Sequence, residues 1–558
     1  MSAARTWNPT TETKKIEELI MEIESLENFS LLYPDAESQK SHLEGKDCPE
    51  ISEEVAEELG LSDILNLKNS RLSEFFTTRE EVIRYRMDTF RDMLDNPELI
   101  QTLNSLLPIL TDILELRKLE SEQSGGDDYL STITEIELYI SSVDTLDDGL
   151  NAVRENLKGQ SFRKLCDYIN ELAESDYYSE LNERLCELTK RVREIRSVTI
   201  GVNLDAQLKP SEAGVLSINP EPFRSGDVIE KIMRLNFKND EYTCIASLVP
   251  FGKKNNENQK AALSNAFNTA INDVYKSSLH SWKKVVQQYV LEKPDFLLNL
   301  LPEFEFLIKG TRLLQNLSAR GCVLSEPEIA TMDECAYAAY GLYNPQVALR
   351  STADKMVDND LVFDSQARIY VLSGPNRGGK SVITCALGLS QAMMQLGLFV
   401  PAVKARISPV DGIFTHFPTG AEDTIDKGRL GEECARLGQI FERITQNSLV
   451  LLDESLSSTG AYEASYIAAE VLSGFSMAGC RTLFSTHLHE LAGFIPEINE
   501  KNAKEGGFPI DTLVAGMESG ERSFKIRRMK PDGKSYARDI ADKYGLSYDS
   551  IMQKIQRN

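Results

Sequence analysis

Several features are scarce or absent in this chain, and each absence excludes a class of protein. Its 558 residues include five histidines, and its nine cysteines contain no C-x-x-C pair. A zinc framework or a disulfide scaffold therefore does not fit, and reduced thiols in a cytoplasm are expected. No apolar run approaches the roughly eighteen residues of a membrane span, and no signal peptide opens the sequence. We therefore expect a cytoplasmic protein without a membrane segment.

Positive charge is also in deficit. The chain has 61 Lys and Arg against 86 Asp and Glu, a net charge of −25. This charge does not by itself indicate a nucleic-acid-binding surface. Basic residues cluster in two segments, 190–196 and 521–534. Each segment fits either a nucleic-acid contact or the solvated face of a helix or hairpin, and neither interleaves aromatic side chains as a single-strand stacking surface does.

The most informative segment is Gly-Pro-Asn-Arg-Gly-Gly-Lys-Ser at 374–381, which fits the pattern G-x-x-x-x-G-K-[ST]. An apolar run precedes it at 368–373, and a helix-like segment follows at 382–396. A glycine-rich turn between a strand and a helix places backbone N–H groups and the positive end of the helix dipole against phosphates. We expect Lys380 to reach the β- and γ-phosphates of a nucleoside triphosphate, and the Ser381 hydroxyl to bind Mg²⁺.

Two further apolar runs end in polar side chains. The run 448–452 ends in Asp453 and Glu454, as in a buried parallel strand with carboxylates at its carboxyl end. Asp453 suits a Mg²⁺ ligand, directly or through water, and Glu454 suits the base that orients the attacking water. His487 ends the next run and is placed to sense the γ-phosphate or to hold the water. Solvated acids and a structural histidine are the plain alternatives.

In this order, the three motifs resemble the ATPase domain of the MutS family of DNA mismatch repair. Similar landmarks surround them: 398–402 resembles the family's "VPA", 410–415 its "DRIFTR", 420–423 its "GA-x-D" and 535–537 its "SYG". The resemblance implies an ABC-type P-loop ATPase domain that uses ATP and Mg²⁺. The implied catalytic residues are Glu454 and His487, and the implied metal ligands are Ser381 and Asp453. The implied nucleotide-binding residues are Gly374, Pro375, Asn376, Gly378, Gly379, Lys380, Ser381 and Val382.

The sequence also departs from the family's pattern. Arg377 stands where the family has Met, and Ser381 where it has Thr. The family's "GRSTF-x-x-E" reads here Gly-Arg-Leu-Gly-Glu-Glu at 428–433, without the serine that approaches a partner subunit's nucleotide. Arg429 is either a charge that acts across a dimer or a solvent-facing arginine. Met356 occupies about the place where the family stacks an aromatic ring on adenine.

Upstream of this domain the sequence is mostly helical. Helical periodicity marks 11–28, 78–94, 97–119, 132–140 and 143–157, and strand-like alternation begins at Ser197. Thr78 and Glu81 form a predicted capping box. With the resemblance, the fold class is an α/β P-loop (ABC-type) ATPase domain preceded by a mostly α-helical core and lever domain with a small β-rich clamp insertion. The predicted segments are a helical core and first lever (1–196), a clamp-like insertion (197–255), returning lever helices (256–325) and the ATPase domain (326–558).

The resemblance implies a homodimer that binds double-stranded or branched DNA, with ATP hydrolysis gating a clamp and with repair or recombination proteins as further partners. Phe-x-Glu, which the family uses to wedge into a mismatch, does not occur in the sequence. We therefore expect the mismatch-recognition and connector domains to be missing, and structured DNA to be the ligand rather than a mismatch. The alternative is an ATP-driven switch that acts on a protein partner without binding DNA.

Overall fold

The computed structural model describes residues 29–122, 129–193, 197–207, 210–219, 224–225, 243–244, 295–351, 356–375, 377–418, 428–488, 490–518, 521–530 and 551–552. The chain divides into two compact units. The first takes its described residues from Met1–Pro97, Asn156–Arg163 and Glu303–Asn558, and the second takes them from Glu98–Glu155 and Lys164–Pro302. The division into four segments from the sequence stays a prediction.

The secondary structure of these residues is given in chain order. The helices are α1 (Ala36–Leu43), α2 (Glu53–Glu58), α3 (Leu61–Leu65), α4 (Asn69–Leu72), α5 (Glu80–Asp95), α6 (Pro97–Glu122), α7 (Tyr129–Asn151), α8 (Gln160–Ala173), α9 (Asp176–Arg193), α10 (Asp295–Asn299), α11 (Leu301–Ala319), α12 (Pro345–Arg350), α13 (Lys380–Gln395), α14 (Gly428–Arg443), α15 (Ala461–Ala478) and α16 (Leu491–Lys504). The strands are β1 (Ser197–Leu204), β2 (Pro210–Asn219), β3 (Arg224–Ser225), β4 (Thr243–Cys244), β5 (Glu328–Ile329), β6 (Tyr337–Leu342), β7 (Asn359–Phe363), β8 (Ile369–Ser373), β9 (Lys404–Ile407), β10 (Ile413–His416), β11 (Leu449–Asp453), β12 (Arg481–Ser485), β13 (Ile510–Glu518) and β14 (Glu521–Arg528).

A six-stranded sheet organises the first unit, with the strand order β10-β11-β12-β8-β13-β14. The first five strands are parallel, and β14 pairs with β13 in the antiparallel direction. All residues of β8, β11 and β12 are buried, as the continuous apolar runs of a covered parallel sheet require. The register brings the carboxyl ends of these three strands to one edge, where open α/β sheets bind ligands.

Helix α13 follows β8 and is tied to its surroundings through buried polar side chains. Ser390 Oγ lies 2.6 Å from the Tyr337 hydroxyl of β6, in a second sheet with the order β5-β9-β6-β7. Gln395 donates from Nε2 to the carbonyls of Thr77 at 3.2 Å and Val410 at 2.9 Å. Because a buried amide without partners costs free energy, these bonds fix the carboxyl end of α13 in one position.

The segment from residue 29 to α5 belongs to the first unit and is bonded there to residues beside β10 and in α11. The Glu50 N–H donates to Asp411 O at 2.7 Å, and the Ile413 N–H donates to Glu50 O at 3.0 Å, which adds one bridge beside β10. Glu303 of α11 is buried and accepts from Ser30 Oγ and from the Leu31 N–H, both at 2.7 Å. Burial raises the pKa of Glu303 to about 7.

Replacing Gly388 by Ala should destabilise the first unit. An added Cβ would lie 2.5 Å from Leu59 Cδ2 and 2.7 Å from Leu451 Cδ1, and overpacking of this kind costs about 1–3 kcal/mol. Gly438→Ala is the matched control, because Gly438 is exposed inside α14 and its Cβ would meet nothing within 4 Å. Alanine should there raise stability by up to about 1 kcal/mol. Denaturant unfolding measures both changes, and equal effects of the two variants would contradict the packing of Leu59 on α13.

The second unit contains α6 to α10 with the antiparallel hairpin of β1 and β2.

Two local predictions are wrong. Residues 129–151 form one helix rather than two, and Arg79 instead of Thr78 precedes the first residue of α5, so the predicted capping box does not form. Thr78 Oγ1 donates to Asp47 O at 3.2 Å instead. The predicted helix at 11–28 lies outside the described residues.

Among the described residues, one helix is long and apolar enough to cross a membrane by length and composition, Pro97–Lys118, with a mean hydropathy of 1.2. Glu98, Asp112 and Glu115 interrupt its apolar residues, and the expectation that the chain has no membrane segment stays a prediction. Core helices of soluble proteins meet the same criterion but are mostly buried, whereas 28% of this segment is buried within the protein. The helix is weak support for a membrane segment.

Candidate nucleotide site

Positive φ angles shape the turn between β8 and α13. Gly374 has a φ of +146° and Gly379 a φ of +90°, in the region that glycine tolerates and other residues rarely adopt. A Cβ on Gly374 would lie 2.7 Å from Ala515 Cβ. Arg377 also has a positive φ, 59°, which costs a non-glycine residue about 1–3 kcal/mol. The expected phosphate contact Asn376 lies outside the described residues.

Lys380 is held beneath this turn. Its side chain is buried, and Nζ donates to Gly374 O at 3.2 Å and Pro375 O at 3.4 Å. His487 Nδ1 lies 3.4 Å from the same Nζ. Burial lowers the pKa of Lys380, while Glu454 and Asp453 oppose this change. Among the described residues, Lys380 Nζ contacts two carbonyl oxygens and the His487 ring and forms no salt bridge, so its charge is available to an incoming phosphate.

Asp453, the last residue of β11, and Ser381, in the first turn of α13, supply oxygen atoms to the site. Asp453 is buried, and its Oδ1 has no hydrogen-bond partner among the described residues. Burial raises the pKa of Asp453, and a hydrogen bond from Ser381 opposes this rise. An unpaired buried carboxylate oxygen next to a hydroxyl is a donor set that Mg²⁺ prefers. The residues present therefore fit a Mg²⁺ ion.

Glu454 and His487 form a pair at the same edge of the sheet. Glu454 Oε1 lies 2.9 Å from His487 Nε2, and both side chains are about one third exposed. The Glu454 N–H donates to Ser485 O at 2.8 Å, which joins the loop after β11 to the end of β12. A carboxylate and an imidazole that share a hydrogen bond beside a buried lysine can bind and orient a water molecule.

A cavity of about 450 Å³ opens beside the turn. Glu454 and the backbone of Gly378–Val382 form its polar wall. Its apolar lining includes Leu342, Tyr343, Val347, Met356, Val357 and Phe524. The cavity has the size of a small-molecule site, and its lining combines polar groups for phosphates with apolar side chains for a base.

Phe524 and Asn344 were missed by sequence reasoning. Phe524 has a φ of +55°, and its Cδ1 lies 3.4 Å from the place of a Cβ on Gly379. Asn359, 165 residues away, donates to Phe524 O at 3.2 Å. Asn344 caps α12 and donates to Val382 O at 3.0 Å. No short motif marks these contacts, because each joins segments that are distant in the chain.

The predicted site residues therefore divide into groups. Residues Gly378 to Val382 and Glu454 line the cavity, as does Met356. Gly374, Pro375 and His487 lie around Lys380 Nζ. Val382 is 41% exposed. Residues 420–423 and 535–537, which carry two of the landmarks, lie outside the described residues. Arg429 is exposed on the first turn of α14.

Residues Glu521–Arg528 of the second basic segment form β14, and ion pairs offset part of their charge. Lys525 pairs with Asp358, and Arg528 Nε lies 2.6 Å from Asp511 Oδ2. Arg528 also lies 3.1 Å from Asp364 Oδ2. These two cations therefore contribute less to an anion-binding surface than the sequence indicates.

Comparison with known proteins gives two family matches and a set of relatives. The family described as "MutS domain V" matches residues 370–507, and "MutS2 N-terminal domain" matches residues 78–320. The chain is 35% identical to "DNA mismatch repair protein MutS" of Symbiobacterium thermophilum over 199 residues, 34% of this chain and 21% of that protein. It is 39% identical to "DNA mismatch repair protein MutS" of Chlorobium phaeobacteroides over 234 residues, 41% of this chain and 26% of that protein. The matched region thus spans about a quarter or less of these relatives' length.

Proposed function

The chain belongs to the MutS family, and from this premise we propose that it is a Mg²⁺-dependent ATPase with an ABC-type P-loop domain. The observation that carries the proposal is the arrangement at the edge of the main sheet. There the buried Lys380 lies under a glycine turn, and the Glu454–His487 pair lies beside it. The apolar wall with Met356 and Phe524 suits the base of the nucleotide.

In this proposal the turn and Lys380 bind the β- and γ-phosphates, and Ser381 and Asp453 hold Mg²⁺. A bound Mg²⁺ supplies charge that neutralises the phosphate oxygens. Glu454 orients a water molecule and accepts its proton while the water oxygen bonds to the γ-phosphorus. The bond from the γ-phosphorus to the bridging oxygen breaks, and ADP and inorganic phosphate leave. His487 fixes the Glu454 carboxylate through the 2.9 Å contact.

We further propose that two copies act together and that hydrolysis gates their hold on DNA, as structured or branched duplex rather than mismatches. The names of the relatives, which are DNA mismatch repair proteins, support a DNA ligand. A cytoplasmic location is proposed from eight of the nine cysteines, which are free thiols.

A protein partner in place of DNA is the second candidate. The net charge of −25 and the ion pairs of Lys525 and Arg528 favour it, because phosphate binding needs unpaired cations. The names of the relatives, which are DNA mismatch repair proteins, favour DNA.

The ATPase rate, measured with and without homoduplex, mismatched, branched and single-stranded DNA, should change with branched DNA. The reason is that DNA that binds one nucleotide state of the protein more tightly than another changes the populations of these states, and with them the rate of hydrolysis. The measurement is made at moderate salt, and binding is repeated at low salt, where phosphate contacts are strongest. A turnover rate indifferent to every DNA, without binding at low salt, would favour the protein partner and leave the ATPase proposal intact.

A further inference from the structure

Ser455, the residue after Glu454, is hydrogen-bonded to His416 at the end of the neighbouring strand β10. Ser455 Oγ lies 2.7 Å from His416 Nδ1, and the same hydroxyl donates to His416 O at 3.2 Å. Both side chains are buried. Because the Ser455 hydroxyl donates its proton to His416 O, the N–H at His416 Nδ1 donates to Ser455 Oγ. His416 and Ser455 therefore form two hydrogen bonds that join β10 to the loop after β11.

The loop that this pair holds has an unfavourable backbone conformation. Glu454 has a φ of 50° and Leu456 a φ of 63°. Residues other than glycine rarely adopt this left-handed region, because their Cβ atom crowds the backbone there. Such a conformation persists only where surrounding contacts impose it. On one side the Glu454 N–H is bonded to Ser485 O at the end of β12. On the other side Ser455 is bonded to His416 at the end of β10.

The His416 end of this connection is itself fixed. Burial and the neighbouring Arg436 lower the pKa of His416 to about 4, so the ring is neutral at ordinary assay pH. Arg436 donates to Phe417 O at 3.2 Å and pairs with Glu58 of α2 at 3.1 Å. The end of β10 is therefore a rigid support for Ser455.

We propose that His416 and Ser455 are positioning residues for hydrolysis, which hold Glu454 in its left-handed conformation with its carboxylate against His487. The proposal rests on the ATPase function proposed above. If the bond between Ser455 and His416 is lost, the loop relaxes toward an unstrained backbone and Glu454 turns away from the water. The glycine turn and Lys380, the first residue of α13, make no contact with this pair among the hydrogen bonds of the described residues. ATP binding should thus survive the loss.

The test uses Ser455→Ala, His416→Gln and His416→Asn in the full-length chain. Asparagine places an amide near the position of Nδ1, whereas glutamine places it near Nε2, so Asn alone of the two preserves the bond to Ser455. We expect kcat for ATP to fall about ten- to a hundredfold in Ser455→Ala and His416→Gln, as for a misplaced catalytic group. The Kd for ATP should stay within about twofold, and His416→Asn should keep most of kcat. The double variant Ser455→Ala with His416→Gln should be no slower than either single variant.

Wild-type kcat in Ser455→Ala would overturn the proposal, as would a parallel loss of ATP affinity and thermal stability in all three variants. Glu454→Gln is run in the same assay as a reference. If kcat falls in Glu454→Gln but stays at the wild-type value in Ser455→Ala, the positioning role of His416 and Ser455 is rejected and the ATPase proposal stands. Wild-type turnover in Glu454→Gln would reject Glu454 as the group that directs the water, and with it the role of the pair. Absence of ATP hydrolysis by the wild-type protein would reject the ATPase assignment itself.

Discussion

Replacing Glu454 by Gln should lower the rate of ATP hydrolysis by about a hundredfold or more, while ATP remains bound. The amide has nearly the same shape as the carboxylate and can still bond to His487, which lies 2.9 Å from Glu454 Oε1. It cannot accept the proton of the attacking water, so the loss falls on the chemical step. Single-turnover hydrolysis and equilibrium nucleotide binding separate the two effects.

Glu470→Gln is the matched control for this variant. Glu470 is exposed on α15, so the substitution makes the same change of charge and shape away from the cavity. Its turnover should equal that of the wild type. A Glu454→Gln protein that hydrolyses ATP at the wild-type rate would mean that another group directs the water.

Replacing Lys380 by Ala should abolish most of the affinity for ATP. The ammonium group is buried under the turn with Gly374 O and Pro375 O as its acceptors. Truncating one partner of a buried, hydrogen-bonded charge pair costs about 2–5 kcal/mol, or roughly thirtyfold to several thousandfold in Kd. Titration calorimetry with Mg²⁺ and ATP measures the change.

Lys404→Ala controls for the loss of a positive charge, because Lys404 is exposed at the start of β9 and does not line the cavity. Its Kd for ATP should be that of the wild type. Thermal unfolding should show that Lys380→Ala is folded. Unchanged ATP binding in a folded Lys380→Ala protein would remove the phosphate-binding role of this lysine.

The accuracy of the sequence-based interpretation depends on whether the interacting residues are neighbours in the chain. The strand, glycine turn and helix around 374–381 form where the motif indicates, and the acid pair follows a buried strand. Each of these features depends on short-range backbone geometry. The apolar wall at Phe524 depends on Asn359, and Ser455 depends on His416. These contacts join distant segments and leave no pattern in a single sequence.

The wrong local predictions have similar causes. A break was expected near residue 141, where polar residues interrupt the apolar stripe. The structure keeps these side chains inside α7: Ser142 Oγ donates to Leu138 O at 2.8 Å, and Thr145 Oγ1 donates to Ser141 O at 2.6 Å. Hydroxyls that bond to the preceding turn are tolerated within a helix. Thr78 does not cap α5 because its hydroxyl is bonded to Asp47 O, a contact that no local rule contains.

The first unit combines an N-terminal segment with residues from the second half of the chain. This order determines when the unit can fold during synthesis. Thr77 meets its partner Gln395 only after 318 further residues have been made. At common rates of synthesis this interval is about 15–65 s. Leu31 and Leu59 are buried in the folded protein, but their partner surfaces on α11 and α13 do not exist until those helices have been made. Folding of the first unit is therefore completed only late in translation.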